Sequence, residues 1–234
     1  MIADMHTHVL PEMDDGSASV EESITMLREM AGYGIRTVTA TPHFYAQSDT
    51  PEAFFGRRES AYRRLSREME KHSDLPQIKL GAEVHFFQGM SESEVLPQLT
   101  IAENRCILVE MPHMVWTAGM YDELVQIRNK QGLIPVIAHV ERYIGGFRTH
   151  KIMEHLEELP VLVQANASFF LNRFTAPLAL RLLRQGQIHL LGSDCHNMSS
   201  RKPNLGEAVK MIQTSLGQPA LDRIDEYQKI VFDL

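Results

Sequence analysis

Short apolar runs rich in β-branched residues recur along this chain, and longer amphipathic, charged stretches separate them. That alternation is typical of repeated βα units, in which helices join the parallel strands and cover the sheet. Seven runs predict strands, at Ile2–Met5, Thr37–Ala40, Gln77–Ala82, Cys106–Val109, Ile134–Ala138, Val161–Gln164 and His189–Gly192. The pattern therefore predicts an α/β fold built on a parallel sheet.

Helix start and stop signals support this division of the chain. Pro51 and Pro177 fall at first-turn positions, and Gly34 and Gly132 stand where a helix ends before the next strand. The charged stretches predict helices at Val20–Gly34 and Glu52–His72, and one or two closing helices within Leu205–Leu234. Because no Gly/Ser-rich linker or strong repeat interrupts the chain, we expect one domain over residues 1–234.

The number of units favours one architecture. Seven βα units of about 33 residues fall slightly short of the eight-unit (β/α)₈ barrel, which takes about 250 residues. We therefore predict a distorted seven-stranded, TIM-like (β/α)₇ barrel. The alternative is an open doubly wound sheet, but the G-x-G-x-x-G fingerprint after the first strand is absent from the sequence.

The charge balance and the cysteine count exclude several classes of protein. The chain has 30 Asp and Glu against 23 Lys and Arg, and its formal net charge of −7 argues against a surface that coats nucleic acid. No run approaches the roughly 20 apolar residues that cross a bilayer, and the first residues lack a signal-peptide pattern. Only two cysteines occur, Cys106 and Cys195, which excludes a disulfide framework. We expect a soluble, cytoplasmic protein with no nucleic-acid partner and no membrane insertion.

Histidines and carboxylates follow nearly all of the predicted strands. In parallel α/β folds the functional groups come from the carboxyl ends of the strands, so these side chains are expected to converge. In strand order they are His6 and His8, His43, Glu83, Glu110, His139, and finally Asp194 with His196, while the sixth strand is the exception and ends in Ala165-Asn166-Ala167. So many buried imidazoles and carboxylates need cations between them. Nitrogen and oxygen ligands without a cysteine pair suit manganese, iron, zinc or magnesium.

The same residues carry a resemblance to a known family. The opening segment, with His6-Thr-His8 and Asp14-Asp15-Gly16, resembles the start of the PHP (polymerase and histidinol phosphatase) superfamily. Later motifs are similar to its CpsB/YwqE-type branch, the bacterial manganese-dependent tyrosine phosphatases of capsule and exopolysaccharide synthesis; they are Thr41-Pro-His43, Gly81-Ala-Glu83-Val, Val109-Glu110-Met-Pro112, Ala138-His139-Val-Glu-Arg142-Tyr143 and Gly192-Ser-Asp194-Cys-His196-Asn197. The similarity covers nearly the whole chain, and it implies the PHP fold, a distorted seven-stranded barrel with a trinuclear metal site.

The resemblance also implies a role for each site residue. It assigns His6, His8, Glu83 and Asp194 to one ion, Glu83, Glu110 and His139 to a second, and His43, His196 and one of Asp14 or Asp15, with Asp15 preferred, to a third. It implies three divalent ions, Mn²⁺ first and iron or zinc as alternatives. The family's phosphate-binding arginines correspond to Arg142 and Arg201. The implied substrate is a phosphotyrosine protein, a bacterial tyrosine kinase.

A second chemistry matches the sequence by spacing alone. Cys195 and Arg201 have the C-x₅-R spacing of cysteine-dependent tyrosine phosphatases. That route needs a thiolate of low pKa and a loop of backbone N–H groups aimed at the phosphate, but this loop has no glycine and acids flank the thiol. We therefore expect a metal-activated hydroxide to attack phosphorus, with both arginines neutralising the phosphoryl oxygens.

Other functions remain open at this stage. Within the same fold they are histidinol phosphatase and nuclease, although a nuclease would need more basic surface than Arg142, Arg201 and Lys202 supply. A noncatalytic metal-binding module that docks on a kinase would keep the ligands without turnover. Four aromatic residues adjoin the predicted ligands and predict either a slot for an aromatic ring or ordinary packing; they are Phe44, Tyr45, Trp116 and Tyr143.

Overall fold

A parallel sheet lies at the centre of the computed structural model, which describes residues 2–145 and 148–232. Its strands are β1 (Asp4–Thr7), β2 (Thr37–Ala40), β3 (His43–Phe44), β4 (Gln77–Leu80), β5 (Glu83–His85), β6 (Cys106–Glu110), β7 (Ile134–Ile137), β8 (Leu162–Asn166) and β9 (Leu190–Gly192). Their pairings are parallel, as alternating strands and helices predict.

Helices connect the strands where the charged stretches predict them. They are α1 (Val20–Gly32), α2 (Pro51–Met69), α3 (Ala118–Gln131), α4 (Arg148–Glu157), α5 (Ala167–Leu171), α6 (Ala176–Gln185), α7 (Leu205–Leu216) and α8 (Gln218–Phe232), with single 3₁₀ turns at Met90–Glu92, Leu96–Leu99, Ile101–Glu103 and Val140–Arg142. The Ser19 and Thr50 side chains cap α1 and α2, and Gly132 ends α3 in the left-handed region at φ 69°. Within the described part of the chain, no helix combines the length and apolar character of a membrane span.

Two short strands, β3 and β5, lie just beyond the predicted runs Thr37–Ala40 and Gln77–Ala82, which is why more strands are observed than predicted. Pro42 has no N–H to donate to a ladder, so β2 stops at Ala40 and the chain resumes as β3. The strand paired with β2 and β3 is interrupted at the same level, between β4 and β5. Two hydrogen bonds cross the break: Gly81 N–H donates to Ala40 O at 2.9 Å and Glu83 N–H to Pro42 O at 3.0 Å.

The order of the strands makes the sheet curl. One part has the order β4-β2-β1 and the other β3-β5-β6-β7-β8-β9. The first strand also bonds to the segment after the last: Asp194 N–H donates to His6 O at 2.8 Å, and His8 N–H donates to Cys195 O at 2.9 Å. The chain thus has an α/β fold with a curled parallel sheet.

Alternation along each strand divides the core into two clusters. On β6, Ile107 and Val109 belong to the larger cluster, beneath the helices. Cys106 and Leu108 point to the other face and belong to a smaller cluster with Met5, Val136, Leu162, Leu190 and, from α8, Val231. Glu110 is two residues beyond Leu108 on that face, so the strand carries a carboxylate from an apolar interior to the carboxyl end of the sheet.

Candidate metal centre

The structure brings the predicted strand-end residues together at the carboxyl end of the sheet. Glu83, at the start of β5, lies at the centre of the group and is 1% exposed. Its Oε2 is 3.1 Å from His6 Nε2, 3.3 Å from His8 Nε2 and 3.0 Å from His43 Nδ1. Its Oε1 is 2.7 Å from His139 Nε2. Burial alone would raise the pKa of Glu83, but the charge of His6 and the hydrogen bond with His139 hold it well below its usual range.

The buried carboxylate of Asp4, the first residue of β1, holds this strand in place beside the cluster. The register of β1 against β2 shifts between Asp4 and Thr7. Asp4 Oδ1 accepts hydrogen bonds from His6 N–H at 3.3 Å and from Ser193 N–H at 2.8 Å. Asp4 is not among the predicted ligands, and its hydrogen bonds join the first strand to the segment after the last one, directly beside the cluster.

The protonation of His6 and His8 follows from what lies behind each ring. His6 Nδ1 is 3.3 Å from Gln164 Oε1, and His8 Nδ1 is 2.7 Å from Asp14 Oδ2. Both oxygens only accept, so each Nδ1 carries the proton and each Nε2 of a neutral ring carries a lone pair. The two Nε2 atoms face each other at 3.2 Å. Such lone pairs repel unless a proton or a metal ion lies between them.

Other atoms of the cluster also lack the partners that burial demands. His43 Nδ1, Glu83 Oε2 and His196 Nε2 are buried and make no hydrogen bond. Four groups of residues each place one ligand atom per residue so that all atoms of the group lie within 4.8 Å of one another. The groups are His8, Asp15, His43 and His196; His6, His8 and Asp194; His6, Glu83 and His139; and His43, Glu83 and Glu110. Imidazole and carboxylate donors without a thiolate fit a divalent cation such as Mn²⁺, Fe²⁺ or Zn²⁺.

The adjacent acids Asp14 and Asp15 face different partners. Asp14 Oδ2 contacts His8 and accepts the His43 N–H at 3.0 Å. Burial by itself would raise the pKa of Asp14, but the hydrogen bond with His8 outweighs it and lowers this pKa to about 2. Asp15 Oδ1 lies 3.4 Å from His43 Nε2 and 3.3 Å from His196 Nε2. Asp14 therefore orients a ligand from behind, while Asp15 faces the space between ligands.

Two guanidinium groups border the cluster. Arg142 Nη2 contacts Asp194 Oδ2 and its Nη1 is 3.4 Å from Glu110 Oε1, while Arg201 Nη2 is 2.7 Å from Asp194 Oδ1. Both arginine side chains are about one-third exposed, at 31% and 38%. They line one cleft of about 700 Å³ together with Asp194 and Ser168. Planar donors beside a cluster of ligand atoms suit an oxyanion.

Sequence reasoning missed the contribution of the sixth predicted strand. Gln164 and Asn166 of β8 are buried, and Asn166 Nδ2 donates to Asp194 Oδ2 at 3.0 Å. The available signal was their spacing, because residues two apart on a strand share a face. The role of Tyr143 was also missed: its hydroxyl accepts the Met111 N–H at 3.0 Å and is 3.3 Å from His139 Nδ1.

The aromatic residues beside the ligands mostly serve packing. Phe44 is buried edge to face against Phe54, with ring centroids 5.1 Å apart. Trp116 and Tyr143 are buried against each other at 5.1 Å. Tyr45 differs, since it is 37% exposed and its ring lies 5.4 Å from that of His43. Ordinary packing thus explains Phe44, Trp116 and the ring of Tyr143, whose hydroxyl also contacts His139, and only Tyr45 of the four lies open beside the cluster.

The C-x₅-R segment does not have the geometry of a thiol phosphatase. Cys195 is fully buried, and burial together with the charge of Asp4 raises the pKa of its thiol well above the usual range. The loop amides are also occupied: Asn197 Oδ1 accepts the N–H groups of Ser199, Ser200 and Arg201 at 3.0, 2.8 and 3.1 Å. They are therefore not directed at a phosphate.

Comparison with known proteins agrees with this geometry. The family model for capsular polysaccharide synthesis, CpsB/CapC, matches residues 2–229. The tyrosine-protein phosphatase YwqE of Bacillus subtilis is 30% identical over 92% of this chain and 85% of its own, and CpsB of Streptococcus pneumoniae is 28% identical over 98% of each. YwqE and CpsB are described as unique metal-dependent tyrosine phosphatases in the work that gave their crystal structures. One of those structures superposes on this chain with a TM-score of 0.87 at 26% identity, and the match covers 100% of this chain and 94% of the crystallised one. The chain belongs to the CpsB/CapC family of capsular polysaccharide synthesis.

Proposed function

We propose that this chain is a metal-dependent protein-tyrosine phosphatase, a phosphoric monoester hydrolase. The observation that carries the proposal is the group of buried imidazoles and carboxylates around Glu83, with two guanidinium groups on its border. Such a group is costly to bury without cations, and the arginines add affinity for an oxyanion. The relatives named as tyrosine-protein phosphatases supply the substrate class.

We assign the ligands to three divalent ions. His6, His8, Glu83 and Asp194 would hold the first, Glu83, Glu110 and His139 the second, and Asp15, His43 and His196 the third. The first and third sites are supported by ligand atoms that lie within 4.8 Å of one another, those of His6, His8 and Asp194 and those of Asp15, His43 and His196. The second is supported by His139 Nε2, which is 2.7 Å from Glu83 Oε1 and 3.6 Å from Glu110 Oε1. Asp15 is chosen over Asp14 because Asp14 already binds His8 and the His43 backbone. Mn²⁺ is the preferred ion because the resemblance to manganese-dependent tyrosine phosphatases implies it and the carboxylate ligands suit it.

The chemistry divides between the ions and the two arginines. Divalent ions bound here would supply an activated water as nucleophile and neutralise charge on the phosphoryl group. Arg142 and Arg201 would hold the phosphoryl oxygens from the cleft side and exchange their contacts with Asp194 for contacts with substrate. The tyrosyl leaving group needs little protonation because the pKa of a phenol is about 10.

We further propose that the curled sheet is a distorted seven-stranded barrel of the PHP type, one domain over residues 1–234. If β2 with β3 and β4 with β5 each count as one interrupted strand, seven remain. The bonds of Asp194 N–H to His6 O and of His8 N–H to Cys195 O support closure between the last strand and the first. Closure would direct every strand end toward one mouth.

We propose a phosphotyrosine protein of capsule or exopolysaccharide synthesis as substrate, a bacterial tyrosine kinase in particular. The family description supports the pathway. The exposed arginines and the open cleft beside them support a substrate that enters as one residue of a larger protein.

The test is a phosphatase assay on metal-free protein with and without added Mn²⁺. Its substrates are a phosphotyrosine peptide, histidinol phosphate and single-stranded DNA. We expect Mn²⁺-dependent hydrolysis of the peptide and little of the other two. Activity that survives complete chelation and is lost with iodoacetamide would overturn the metal mechanism. Preferred hydrolysis of histidinol phosphate or DNA would overturn the substrate class, and bound metal without turnover would indicate a noncatalytic docking module.

A further inference from the structure

We propose that Gln164 and Asn166 are positioning residues of the metal centre, forming a two-carboxamide bridge that holds His6, His139 and Asp194 in place for the first and second ions. The inference rests on the proposed metal centre and adds residues that are not in the ligand set. Both lie on β8, which contributes no ligand, and they are 0% and 5% exposed.

The bridge is a continuous chain of hydrogen bonds. Gln164 Oε1 accepts the His139 backbone N–H at 2.7 Å and lies 3.3 Å from His6 Nδ1. Gln164 Nε2 donates to Asn166 Oδ1 at 2.9 Å. Asn166 Nδ2 then donates to Asp194 Oδ2 at 3.0 Å. Ligands that follow β7 and β9, and one on β1, are thereby joined through two side chains of β8.

The chemistry of the two ends fixes the orientation of both amides. A backbone N–H can only donate, so the Gln164 atom that faces His139 must be oxygen. A carboxylate can only accept, so the Asn166 atom that faces Asp194 must be nitrogen. The inner pair, Gln164 Nε2 with Asn166 Oδ1, is then correctly matched. Because neither amide can flip without breaking bonds at both of its ends, the bridge has a single polarity.

That polarity determines which nitrogen of His6 is available. With oxygen facing His6 Nδ1, this nitrogen must carry the ring proton. The lone pair is then on Nε2, which lies 3.1 Å from Glu83 Oε2 and 3.6 Å from Asp194 Oδ1. At the other end, Asn166 donates to Asp194 Oδ2, on the side away from the imidazoles. Asp194 Oδ1 lies 3.6 Å from His6 Nε2 and 3.5 Å from His8 Nε2, and it also accepts from Arg201 at the border of the site. The bridge therefore presents one ligand atom from each residue.

Backbone conformation is the second reason why support is needed here. His139 and Asp194 have φ of 33° and 53°, in the left-handed region that residues other than glycine seldom occupy. These are two of the three residues that the bridge contacts. Hydrogen bonds to the His139 N–H and to the Asp194 side chain offset the cost of holding both ligands in that conformation.

Packing leaves little room for a substitute. A Cβ built on Gly192 would lie 2.9 Å from Gln164 Nε2 and 2.6 Å from His6 Cβ. The backbone of β9 at Gly192 thus lies directly against the Gln164 amide and the Cβ of His6. Side chains of similar size but without polar atoms can fill this space, and they remove the hydrogen bonds alone.

The test compares Gln164→Met and Asn166→Leu with a matched control, Gln131→Met. Gln131 ends α3, and its amide nitrogen donates to Ser91 O at 2.7 Å, outside the cluster. Metal-free proteins are titrated with Mn²⁺ by calorimetry, and melting temperatures are measured with and without Mn²⁺. We expect the two bridge variants to bind Mn²⁺ about 10–100-fold more weakly, and their stabilisation by metal to shrink. The control should lose some stability and retain its Mn²⁺ affinity.

The outcomes separate this inference from the proposed function. Mn²⁺ affinity within about twofold of the unsubstituted chain in both bridge variants would overturn the positioning role and leave the metal centre intact. Failure of the unsubstituted chain to bind Mn²⁺ would overturn the metal centre itself, and the bridge with it. If Asn166→Leu does not fold, Asn166→Ala removes the donor without adding bulk. Its Mn²⁺ affinity is judged in the same way, with a loss of about 10–100-fold expected and a change within about twofold contradicting the positioning role.

Discussion

Side chains in the interior of the sheet are buried for packing, whereas side chains at its carboxyl end are buried among candidate metal ligands. On β6, Leu108 and Glu110 lie on the same face and are both buried, at 0% and 8% exposure. Leu108 contacts an apolar cluster that α8 helps to cover, whereas Glu110 faces His85, His139 and Arg142. Alternation along a strand thus decides which face a residue occupies, and position along the strand decides whether burial serves packing or ligand binding.

Two histidines, the buried His8 and the half-buried His189, show the same contrast. His8 is surrounded by Asp14, Asp194 and Glu83, and although burial opposes it, these acids raise its pKa well above the usual value. His189 stands before β9, where its Nδ1 accepts the Val163 N–H at 2.9 Å and its ring packs edge to face on Tyr227. Burial lowers its pKa to about 4. A histidine becomes a candidate ligand through the carboxylates that face it, and burial alone does not make it one.

The largest expected effect is at the carboxyl end. His139→Ala removes an imidazole that contacts both Glu83 and Glu110. We expect turnover of a phosphotyrosine peptide with Mn²⁺ to fall by at least about 10³-fold, because the ions provide most of the barrier reduction in such sites. His189→Asn is the matched control at the other end, and it should keep most of the activity. Similar losses in both variants would contradict the division between the two ends.

The reciprocal experiment is Leu108→Ala, which changes the interior of β6. Truncating a fully buried leucine leaves a cavity, so we expect the free energy of unfolding to fall by about 2–5 kcal/mol. Urea unfolding of the metal-free protein measures this. The folded variant should bind Mn²⁺ with nearly unchanged affinity. A large loss of Mn²⁺ affinity together with a small loss of stability would show that the interior and the site are not separable.

Much of this arrangement was predictable from the sequence because two rules are strong. Hydrophobic runs marked the seven strand regions, and the rule that function lies at carboxyl ends selected residues such as Glu83 and His139, which the structure brings together. Strand limits were less predictable. The first strand was predicted at Ile2–Met5 and is observed at Asp4–Thr7, since its end is set by backbone bonds to β2 and to the segment after β9 and not by hydropathy.

Some features could not be predicted because tertiary contacts decide them. Asp14 and Asp15 are adjacent and chemically identical, and only their contacts in the folded chain distinguish them, Asp14 with His8 and the Gly16 N–H and Asp15 with His43 and His196. A Cβ at Gly16 would lie 2.4 Å from His8 O, so the chain passes too close for any other residue. Gln164 and Asn166 gave no signal beyond their spacing, because buried amides that hold ligands have the same sequence pattern as buried amides that hold backbone.

The substitution Arg201→Ala tests whether the arginines beside the metal cluster bind the substrate, and it leaves every proposed metal ligand in place. Arg201 contacts Asp194 and is 38% exposed on the cleft side. Losing a guanidinium that holds the phosphoryl group should reduce kcat/KM for the phosphotyrosine peptide by about 10–100-fold. Mn²⁺ content, measured by elemental analysis, should stay unchanged. Loss of metal from this variant would contradict a role in substrate binding.

A smaller effect is expected from His189 when pH is lowered. Its folded pKa of about 4 lies below the usual value near 6.5, so proton uptake favours the unfolded chain. The contribution to stability is complete above about pH 6.5 and is lost as pH falls toward 4. After allowance for partial exposure, we expect a loss of about 1–2 kcal/mol.

The variant His189→Asn isolates this titration. Its Oδ1 can accept the Val163 N–H in place of the imidazole nitrogen, yet it does not titrate. Urea unfolding of the metal-free proteins at pH 7 and pH 4.5 gives the difference, and the variant should lose less stability than the unsubstituted chain over that interval. Equal losses would show that the neutral imidazole at the amino end contributes nothing to the pH dependence.

The smallest effect is expected at Cys195, which is adjacent to two candidate ligands and yet belongs with the packed interior. Its side chain is fully buried, and its thiol has a pKa raised well above the usual range. Cys195→Ser keeps the size of the side chain and removes the sulfur nucleophile, so Mn²⁺-dependent turnover should stay within about threefold, or less than about 1 kcal/mol of barrier. Iodoacetamide should likewise leave the native protein active, because a buried thiol does not react. A loss as large as that of His139→Ala, with the variant folded and loaded with Mn²⁺, would place the thiol in the reaction and move Cys195 from the packed interior to the functional end.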